Sequence, residues 1–159
     1  MRFMLPWFVC LLVLSTPSVG RAKSATAARP DTLGMRATLD TLNAVCARRD
    51  SVAFDALFDA SEPLLFVGSS EGEEFHGRAG VARFRRFLFS MPFVFSFDLA
   101  HVTLRCDGDH GWAYFDGHML RRAPSGKEGG NRYRFFVAMV KRDGAWKWTA
   151  FHGAVPGGE

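Results

Sequence analysis

The sequence predicts an α+β fold in which a strongly curved, mostly antiparallel sheet wraps around three helices to form a cone. Three observations support this prediction. Apolar residues recur at helical spacing in the first part of the chain, a period of two takes over from Phe93, and turn signals then divide the chain into four strand-like runs. The predicted element order is therefore α-α-β-β-α-β-β-β-β, and a sheet curved in this way encloses an apolar pocket.

The first predicted helix begins after Asp31 and ends near Arg49. Its apolar residues recur at helical spacing and form one stripe, which comprises Met35, Leu39, Leu42 and Cys46. A second, short helix is capped by Asp50 or Ser51 and ends before Pro63. Both helices therefore present an apolar face to the sheet.

Two short strands and a third helix follow. Residues 64–67 are strand-like, and the tight reversal at 68–72 leads to a second short strand at 73–75. The reversal matches the nucleophile pattern G-x-S-x-G, but that pattern requires a helix immediately after the serine, so we exclude a hydrolase elbow. Helical spacing returns over 78–89 and Pro92 ends it.

The Asp143-Gly144 pair is the strongest hairpin signal in the chain, and it predicts the pairing of the last two strands. A two-residue turn there pairs Arg142 with Ala145 and, further along, Phe135 with His152. The more apolar face of this hairpin is predicted to be concave and comprises Tyr133, Phe135, Val137, Met139, Trp146, Trp148, Ala150 and His152. His152 is therefore expected at the floor of the pocket.

The strand at 112–120 has two contrasting faces, and the sequence leaves open which of them points inward. One face carries Trp112, Tyr114, Asp116 and His118, and the other carries Ala113, Phe115, Gly117 and Met119. If the first face is inward, Asp116 and His118 form an acid–base pair beside His152. If it is outward, they lie at a dimer surface or in water.

These patterns nominate residues for a site. The catalytic candidates are His152, His118, Asp116 and Asp98, and the candidate pocket residues are Trp112, Tyr114, Tyr133, Phe135, Trp148 and His152. His152 suits a general base or a hydrogen-bond donor to a ligand, although a core histidine bonded to the backbone is the alternative. Asp98 interrupts an apolar run, where burial would raise the pKa of a carboxyl group, but an edge strand would turn it to solvent.

The composition limits the classes of function. With 159 residues, 48% of them hydrophobic and 23% charged, the chain fits one soluble globular domain. Its formal net charge of +4 is scattered among carboxylates, so we do not expect nucleic acid as a partner. The five histidines are dispersed without an H-E-x-x-H or C-x-x-C motif, so neither a metal nor a cofactor is expected.

The amino terminus predicts export. Residues 1–20 combine Arg2 with an apolar run too short to span a bilayer, followed by small residues that suit cleavage after Gly20 or Ala22. An uncleaved membrane anchor is the alternative. Residues 21–30 then form a flexible tether, the domain covers 31–156, and the protein is periplasmic or extracellular, with no membrane contact after cleavage.

An oxidising compartment permits a disulfide between the two cysteines of the predicted domain, Cys46 and Cys106. Each cysteine also lies in an apolar pattern. We therefore expect two independent buried thiols, with the disulfide as the alternative.

The segment Glu73 to Val81, which opens the third helix, and the segment Lys141 to His152, which closes the sheet, resemble the nuclear transport factor 2-like superfamily, and within it the SnoaL-like domains. The resemblance covers roughly residues 32–156. It implies a cone-shaped barrel with a pocket, in a group that includes isomerases, cyclases, dehydratases, epoxide hydrolases and non-catalytic binding domains. The first helix has no tyrosine, so the oxyanion site of the ketosteroid isomerases does not carry over.

The sequence therefore supports an exported domain that binds a small apolar or amphipathic molecule. An acid–base isomerase, dehydratase or hydrolase acting in the same pocket is the alternative. A third hypothesis is an interaction module that forms a homodimer through the convex face of the sheet, where Arg134, Phe136 and Phe151 would be covered.

Overall fold

The structure, a computed structural model, describes residues 31–60 and 63–157. The predicted signal peptide at 1–20 and the tether at 21–30 lie outside the described residues. None of the helices within the described ranges is both long enough and apolar enough to cross a bilayer.

The described residues form an α+β fold with a curved, unclosed sheet, as predicted. The elements in chain order are α1 Thr32–Arg48, α2 Ser51–Asp55, β1 Leu65–Val67, β2 Glu74–His76, α3 Gly77–Ser90, β3 Val94–Phe97, β4 Thr103–Asp107, β5 His110–Arg122, β6 Glu128–Arg142 and β7 Ala145–Ala154, with a 3₁₀ turn at Leu99–His101. The long strands β5, β6 and β7 supply most of the concave surface.

The strand order across the sheet is β2-β1-β7-β6-β5-β3, and β4 also pairs with β5. The pairing of β1 with β7 is parallel, and the other pairings are antiparallel. The strands β3 and β4 lie on the same side of β5 but at opposite ends of it, since β3 pairs near Arg122 and β4 near His110. This arrangement lets the sheet curve around α1.

The predicted apolar stripe of α1 is buried in the core, as expected from its spacing. Asp31 caps the helix by accepting a hydrogen bond from the backbone N–H of Gly34 at 3.0 Å. The same carboxylate accepts hydrogen bonds from Lys141 Nζ at 2.7 Å and from Trp146 Nε1 at 3.1 Å. The start of the helix is thereby held against β6 and β7.

The sequence predicted four strands from Phe93 onward, whereas the structure has five. The first predicted strand divides into β3 and β4. Asp98 ends β3 and caps the 3₁₀ turn by accepting a hydrogen bond from the N–H of Ala100 at 3.2 Å. The side chain of Asn43 on α1 secures the end of β3, since its amide both donates to the carbonyl of Phe97 and accepts from the N–H of Phe97, each at 2.9 Å. The rings of β3 are thereby held over the concave face.

The predicted register of the last hairpin is correct as far as the pair Met139 and Trp148, but it then shifts by one residue. Ala138 pairs with Ala150, so Thr149 is an extra, unpaired residue in β7, and its hydroxyl donates a hydrogen bond to the Ala138 carbonyl at 3.3 Å. This is a β-bulge. It reverses the faces of every later residue in β7.

The bulge lies where β7 changes neighbours. The N–H of Trp148 donates to the carbonyl of Leu57 at 2.8 Å, and the N–H of Asp59 donates to the carbonyl of Trp148 at 3.0 Å. Two residues later, Ala150 pairs with Leu65 of β1. The extra residue therefore falls between two different pairing partners.

Candidate functional site

A cavity of about 280 Å³ lies between the concave face of the sheet and the helices α1 and α3. Its volume is near the lower end of the range of roughly 300–1,000 Å³ that is usual for small-molecule sites. The inner wall is apolar and comprises Leu42, Phe54, Phe66, Phe84, Trp148 and Phe151. The opening is bordered by apolar residues of α3, β3 and the segment between them, which include Phe87, Met91, Phe93 and Phe95.

The polar residues of the cavity wall come from two places in the fold. The reversal between β1 and β2 supplies Ser69, Ser70 and Glu73, and the adjoining strands β5 and β6 supply Arg121, Asn131 and Tyr133. Of this set, only Tyr133 was predicted from the sequence to lie at the pocket. The G-x-S-x-G segment does lie at the cavity, but it leads into strand β2, as expected, and not into a helix.

Glu73 is committed to its own turn. Its carboxylate accepts a hydrogen bond from the backbone N–H of Ser70 at 3.1 Å, and its carbonyl accepts one from the N–H of Gly68 at 2.7 Å. The side chain folds over Gly68 so closely that a Cβ there would overlap it. The carboxylate therefore stabilises the reversal that shapes this side of the cavity.

Tyr133 is buried, and burial raises the pKa of its hydroxyl above the usual value. A hydrogen bond with the side chain of Ser69 opposes this shift, and the charge of Glu73 adds to it. The hydroxyl is therefore neutral near pH 7 and can donate a hydrogen bond.

Arg121 is the cationic residue of the cavity wall. Its Cζ atom lies 5.9 Å from the centroid of the Phe93 ring, and it forms no ion pair with a carboxylate in the described part of the chain. The next residue, Arg122, is on the opposite face of β5 and pairs with Glu128 at 2.7 Å. The two neighbouring guanidinium groups therefore differ in what they contact.

Trp148 is 1% exposed and lines the cavity. Within residues 31–60 and 63–157, its indole N–H is buried without a hydrogen-bond partner. Leaving a buried donor unpaired costs about 1–3 kcal/mol, so native structures rarely retain one.

Cys46 also lines the cavity, and burial raises the pKa of its thiol to about 12. The group is therefore a neutral thiol near pH 7 and serves as a small apolar residue. Cys46 and Cys106 are both free.

The expected placement of His152 on the concave face is wrong. The bulge at Thr149 turns Phe151 inward, so His152 is exposed on the outer face, where it pairs across the sheet with Phe136. The inward residues of the end of β7 are Phe151 and Gly153, both buried. Position 149 is a threonine and not a glycine or another turn residue, so nothing in the sequence marks the bulge.

The expected placement of Trp112 and Tyr114 in the pocket is also wrong. Their face of β5 is the outer one, since Ala113 and Phe115 are buried in the core instead. Trp112 is 37% exposed and its ring stacks on Phe136 with the centroids 5.8 Å apart. Of the remaining pocket candidates, Tyr133 and Trp148 line the cavity, whereas Phe135 packs in the core behind it.

Asp116 and His118 share that outer face. The Asp116 carboxylate accepts hydrogen bonds from Arg132 Nε at 2.9 Å and from Arg134 Nε at 3.0 Å, and the bond from Arg132 is the main reason that the pKa of Asp116 is lowered. His118 is exposed. The two residues do not reach the cavity, so the acid–base pair beside His152 does not form.

Asp98 is exposed and caps the 3₁₀ turn described above. Of the two alternatives that the sequence left open, the solvent-facing one holds. None of the four catalytic candidates lines the cavity.

The described residues contain no group of three or more histidine, cysteine, aspartate or glutamate side chains close enough to hold a metal ion. The polar groups at the cavity instead suit hydrogen bonding to an organic molecule. They comprise a neutral phenol, a guanidinium, an amide and two serine hydroxyls.

A cone of curved sheet over helices, with an apolar cavity between them, defines a pocket-bearing domain of the nuclear transport factor 2-like type. The chain belongs to the SnoaL-like domain family, whose family model matches residues 35–157. The resemblance seen in the sequence is therefore confirmed. No curated protein matches the chain.

Solved structures agree on the fold. A Streptomyces avermitilis protein of the nuclear transport factor 2-like family, proposed to be a dehydratase, is 14% identical with a TM-score of 0.71 over 80% of this chain and 98% of that one. A Novosphingobium aromaticivorans protein with a cystatin-like fold is 16% identical with a TM-score of 0.64, covering 81% and 84% of the two chains. A Salmonella enterica member of the superfamily is 17% identical with a TM-score of 0.63, covering 80% and 94%. At these identities the likeness concerns the fold alone.

Proposed function

We propose that this protein binds a small amphipathic organic molecule in the cavity between its sheet and helices. The observation that carries the proposal is the cavity of about 280 Å³, whose wall is largely aromatic and includes a few polar side chains. The polar side chains, among them Arg121, Asn131 and Tyr133, would bond a polar group of the bound molecule, and the surrounding rings would bury its apolar part.

The volume of the cavity suggests the size of the molecule. A water molecule occupies roughly 30 Å³ in the liquid. A cavity of about 280 Å³ therefore accommodates about nine groups of that size. A compound of eight carbons with one oxygen function is a suitable probe.

The test measures the melting temperature of the purified protein with increasing 2-octanone, which has an apolar chain and one carbonyl acceptor. A ligand that binds only the folded state raises the melting temperature in proportion to its occupancy. We expect 2-octanone to raise it for the unmodified protein and less for Trp148→Phe, which removes part of the aromatic surface that lines the cavity.

The matched control is Trp112→Phe, which makes the same substitution on the outer face, away from the cavity. Its response to 2-octanone should equal that of the unmodified protein. The proposal is wrong if neither 2-octanone nor other eight-carbon amphiphiles change the melting temperature at any concentration up to their solubility.

A second candidate function is acid–base catalysis on a small organic substrate, as an isomerase, dehydratase or hydrolase. The observation that favours it is that Tyr133, a neutral hydroxyl donor, and Glu73, a carboxylate, line the same cavity. The relative from Streptomyces avermitilis that is proposed to be a dehydratase adds support by analogy of fold. Against it, the carboxylate of Glu73 is already bonded to the N–H of Ser70.

Turnover would be tested by incubating the protein with compounds that raise its melting temperature and analysing them by mass spectrometry. Glu73→Gln and Tyr133→Phe should each abolish product formation if the cavity is catalytic. Unchanged compounds after incubation with the unmodified protein would leave binding as the function.

We also propose that the protein is exported, on the basis of the apolar run and small residues within positions 1–20. Mass spectrometry of the protein recovered from the producing cells should find a chain beginning at Arg21 or Lys23. An intact Met1 terminus in the cytoplasmic fraction would contradict export.

A further inference from the structure

Arg121 continues the inward-facing series of β5, in which every second residue from Ala113 to Met119 contacts the interior. A guanidinium group at the end of an apolar face is costly to desolvate unless an acceptor satisfies it. In the described part of the chain Arg121 has no carboxylate partner, and its contact is with the ring of Phe93. Its donors are therefore available to a bound molecule.

Asn131 lies beside Arg121 on the neighbouring strand. The Cα partner of Asn131 is Met119, two residues before Arg121, so the two polar side chains are diagonal neighbours on the concave face. The amide nitrogen of Asn131 donates to the carbonyl of Arg132 at 2.9 Å. This bond holds the amide at the edge of the cavity.

The other charged group of the wall, Glu73, does not neutralise Arg121. Its carboxylate is bonded within the reversal between β1 and β2, and no ion pair joins it to Arg121 among the described residues. The cavity therefore offers one guanidinium without an acidic partner, at the border of an apolar interior.

We propose that the bound molecule is an amphipathic anion, whose carboxylate is held by Arg121 beside Asn131 and whose apolar part lies against the rings near Trp148. This inference rests on the proposed binding function and specifies the chemical class of its ligand. A guanidinium binds a carboxylate through two parallel N–H donors, which a neutral or cationic head group cannot accept in the same way.

The test compares three probes with the same chain length: octanoate, 2-octanone and octylamine. Their dissociation constants are measured by calorimetry or by melting temperature at low ionic strength. We expect octanoate to bind about tenfold more tightly than 2-octanone, since hydrogen bonds between charged groups are the stronger class, and octylamine to bind most weakly.

Two variants isolate the head-group contact. Arg121→Gln should weaken octanoate about tenfold and change the affinity for 2-octanone by no more than about twofold, whereas Arg121→Lys should retain part of the preference. The matched control is Arg122→Gln, which removes the same charge from the outer face, where it pairs with Glu128. It should leave all three affinities unchanged.

Raising the salt concentration provides a second measurement on the unmodified protein. It should weaken octanoate and leave 2-octanone unaffected, because Arg121 is partly exposed and its attraction for an anion is screened. If all three probes bind equally, or if Arg121→Gln and Arg122→Gln behave alike, the anion proposal is wrong although the binding function stands. If no probe binds, the binding function itself is wrong.

Discussion

The hydroxyl of Tyr133 packs against the backbone of Gly153 so closely that a Cβ at residue 153 would overlap the hydroxyl oxygen. The ring of Phe151 approaches the same position to 3.0 Å. The glycine therefore makes room for a buried tyrosine at the wall of the cavity.

Gly153→Ala should destabilise the protein by about 1–3 kcal/mol, because overpacking forces neighbouring side chains or backbone to move. Gly129→Ala is the matched control in a neighbouring strand, since a Cβ there would meet no atom within 4 Å. Urea denaturation of both variants measures the difference. Equal midpoints for the two variants would contradict the close contact.

The protein should lose stability at low pH through Asp31. The hydrogen bond from Lys141, followed by those from Gly34 and Trp146, lowers the pKa of Asp31 to about 2. An aspartate in an unfolded chain has a pKa of about 3.9. The carboxylate therefore stabilises the folded state above that value, and the contribution is lost as the pH falls through the folded pKa.

Asp31→Asn should accordingly lower the melting temperature near pH 7, and the difference from the unmodified protein should close between about pH 4 and pH 2. Asp143→Asn, an exposed aspartate at a turn where asparagine also fits, is the control. Its melting temperature should follow that of the unmodified protein across this range. A constant difference for Asp31→Asn at every pH would rule out this titration.

Deleting Thr149 should leave the domain folded. Without the extra residue of the bulge, Ala150 follows Trp148 directly, and the pairs of Ala138 with Ala150 and of Val137 with Phe151 continue a regular ladder with Phe151 still inward. Inserting one alanine between Ala150 and Phe151 should instead unfold the domain or leave it only partly folded, because the ladder could then continue only by turning Phe151 outward and His152 into the core. Circular dichroism of the two proteins provides the measurement, and a native spectrum with an unchanged melting temperature for the insertion would show that the two faces of β7 can be exchanged.

The two cysteines of the described residues should differ in reactivity. Cys46 is buried with a pKa of about 12, so almost no thiolate is present near pH 7, whereas Cys106 is partly exposed. Iodoacetamide should therefore modify Cys106 first and Cys46 only after unfolding, with each site followed by mass spectrometry. If neither reacts until a reductant is added, the cysteines form the disulfide that the sequence left open.

The homodimer of the third hypothesis remains a prediction, although Phe151, expected on its interface, is buried in the core. Trp112 and Phe136 stack on the outer face of the sheet, with 37% and 42% of their surfaces exposed. Phe136→Glu should reduce the mass measured by light scattering from two chains to one, because it places a charge in the apolar centre of that face. A mass of one chain for the unmodified protein at micromolar concentration would exclude this dimer.

Local patterns were sufficient to predict most of the fold. The stripe from Met35 to Cys46 has the period of one helix face, and the Asp143-Gly144 turn fixes the pairing of the residues next to it. Both signals depend on residues close together in the chain. The element order follows from them, apart from the division of one strand at Asp98.

The candidate site was less predictable because the face of a residue depends on distant partners. The bulge at Thr149 lies between two pairing partners of β7, the segment at 57–59 and strand β1, and neither can be located by reading β7 alone. The one-residue shift in pairing at the bulge places His152 on the outer face instead of the predicted inner one. The apolar run around Asp98 suggested a residue within a strand. It hid the local alternative, in which the carboxylate caps a turn.

One signal for the site was present in the sequence. The inward face of β5 reads Ala113, Phe115, Gly117, Met119 and then Arg121, so a cation follows an uninterrupted small and apolar series. A charge in such a position indicates either the end of a strand or a polar contact within a cavity. Once the buried face of β5 is known, Arg121 follows directly as a member of the cavity wall.

The bulge in β7 also bears on how such domains diverge. Forming or losing the bulge at position 149, with the number of residues unchanged, exchanges the odd and even positions of the rest of the strand between solvent and interior. Such a change of register can present a new set of side chains to a ligand without any insertion or deletion in the strand, and a histidine at the same place in two related chains can belong to the binding chamber of one and to the exterior of the other.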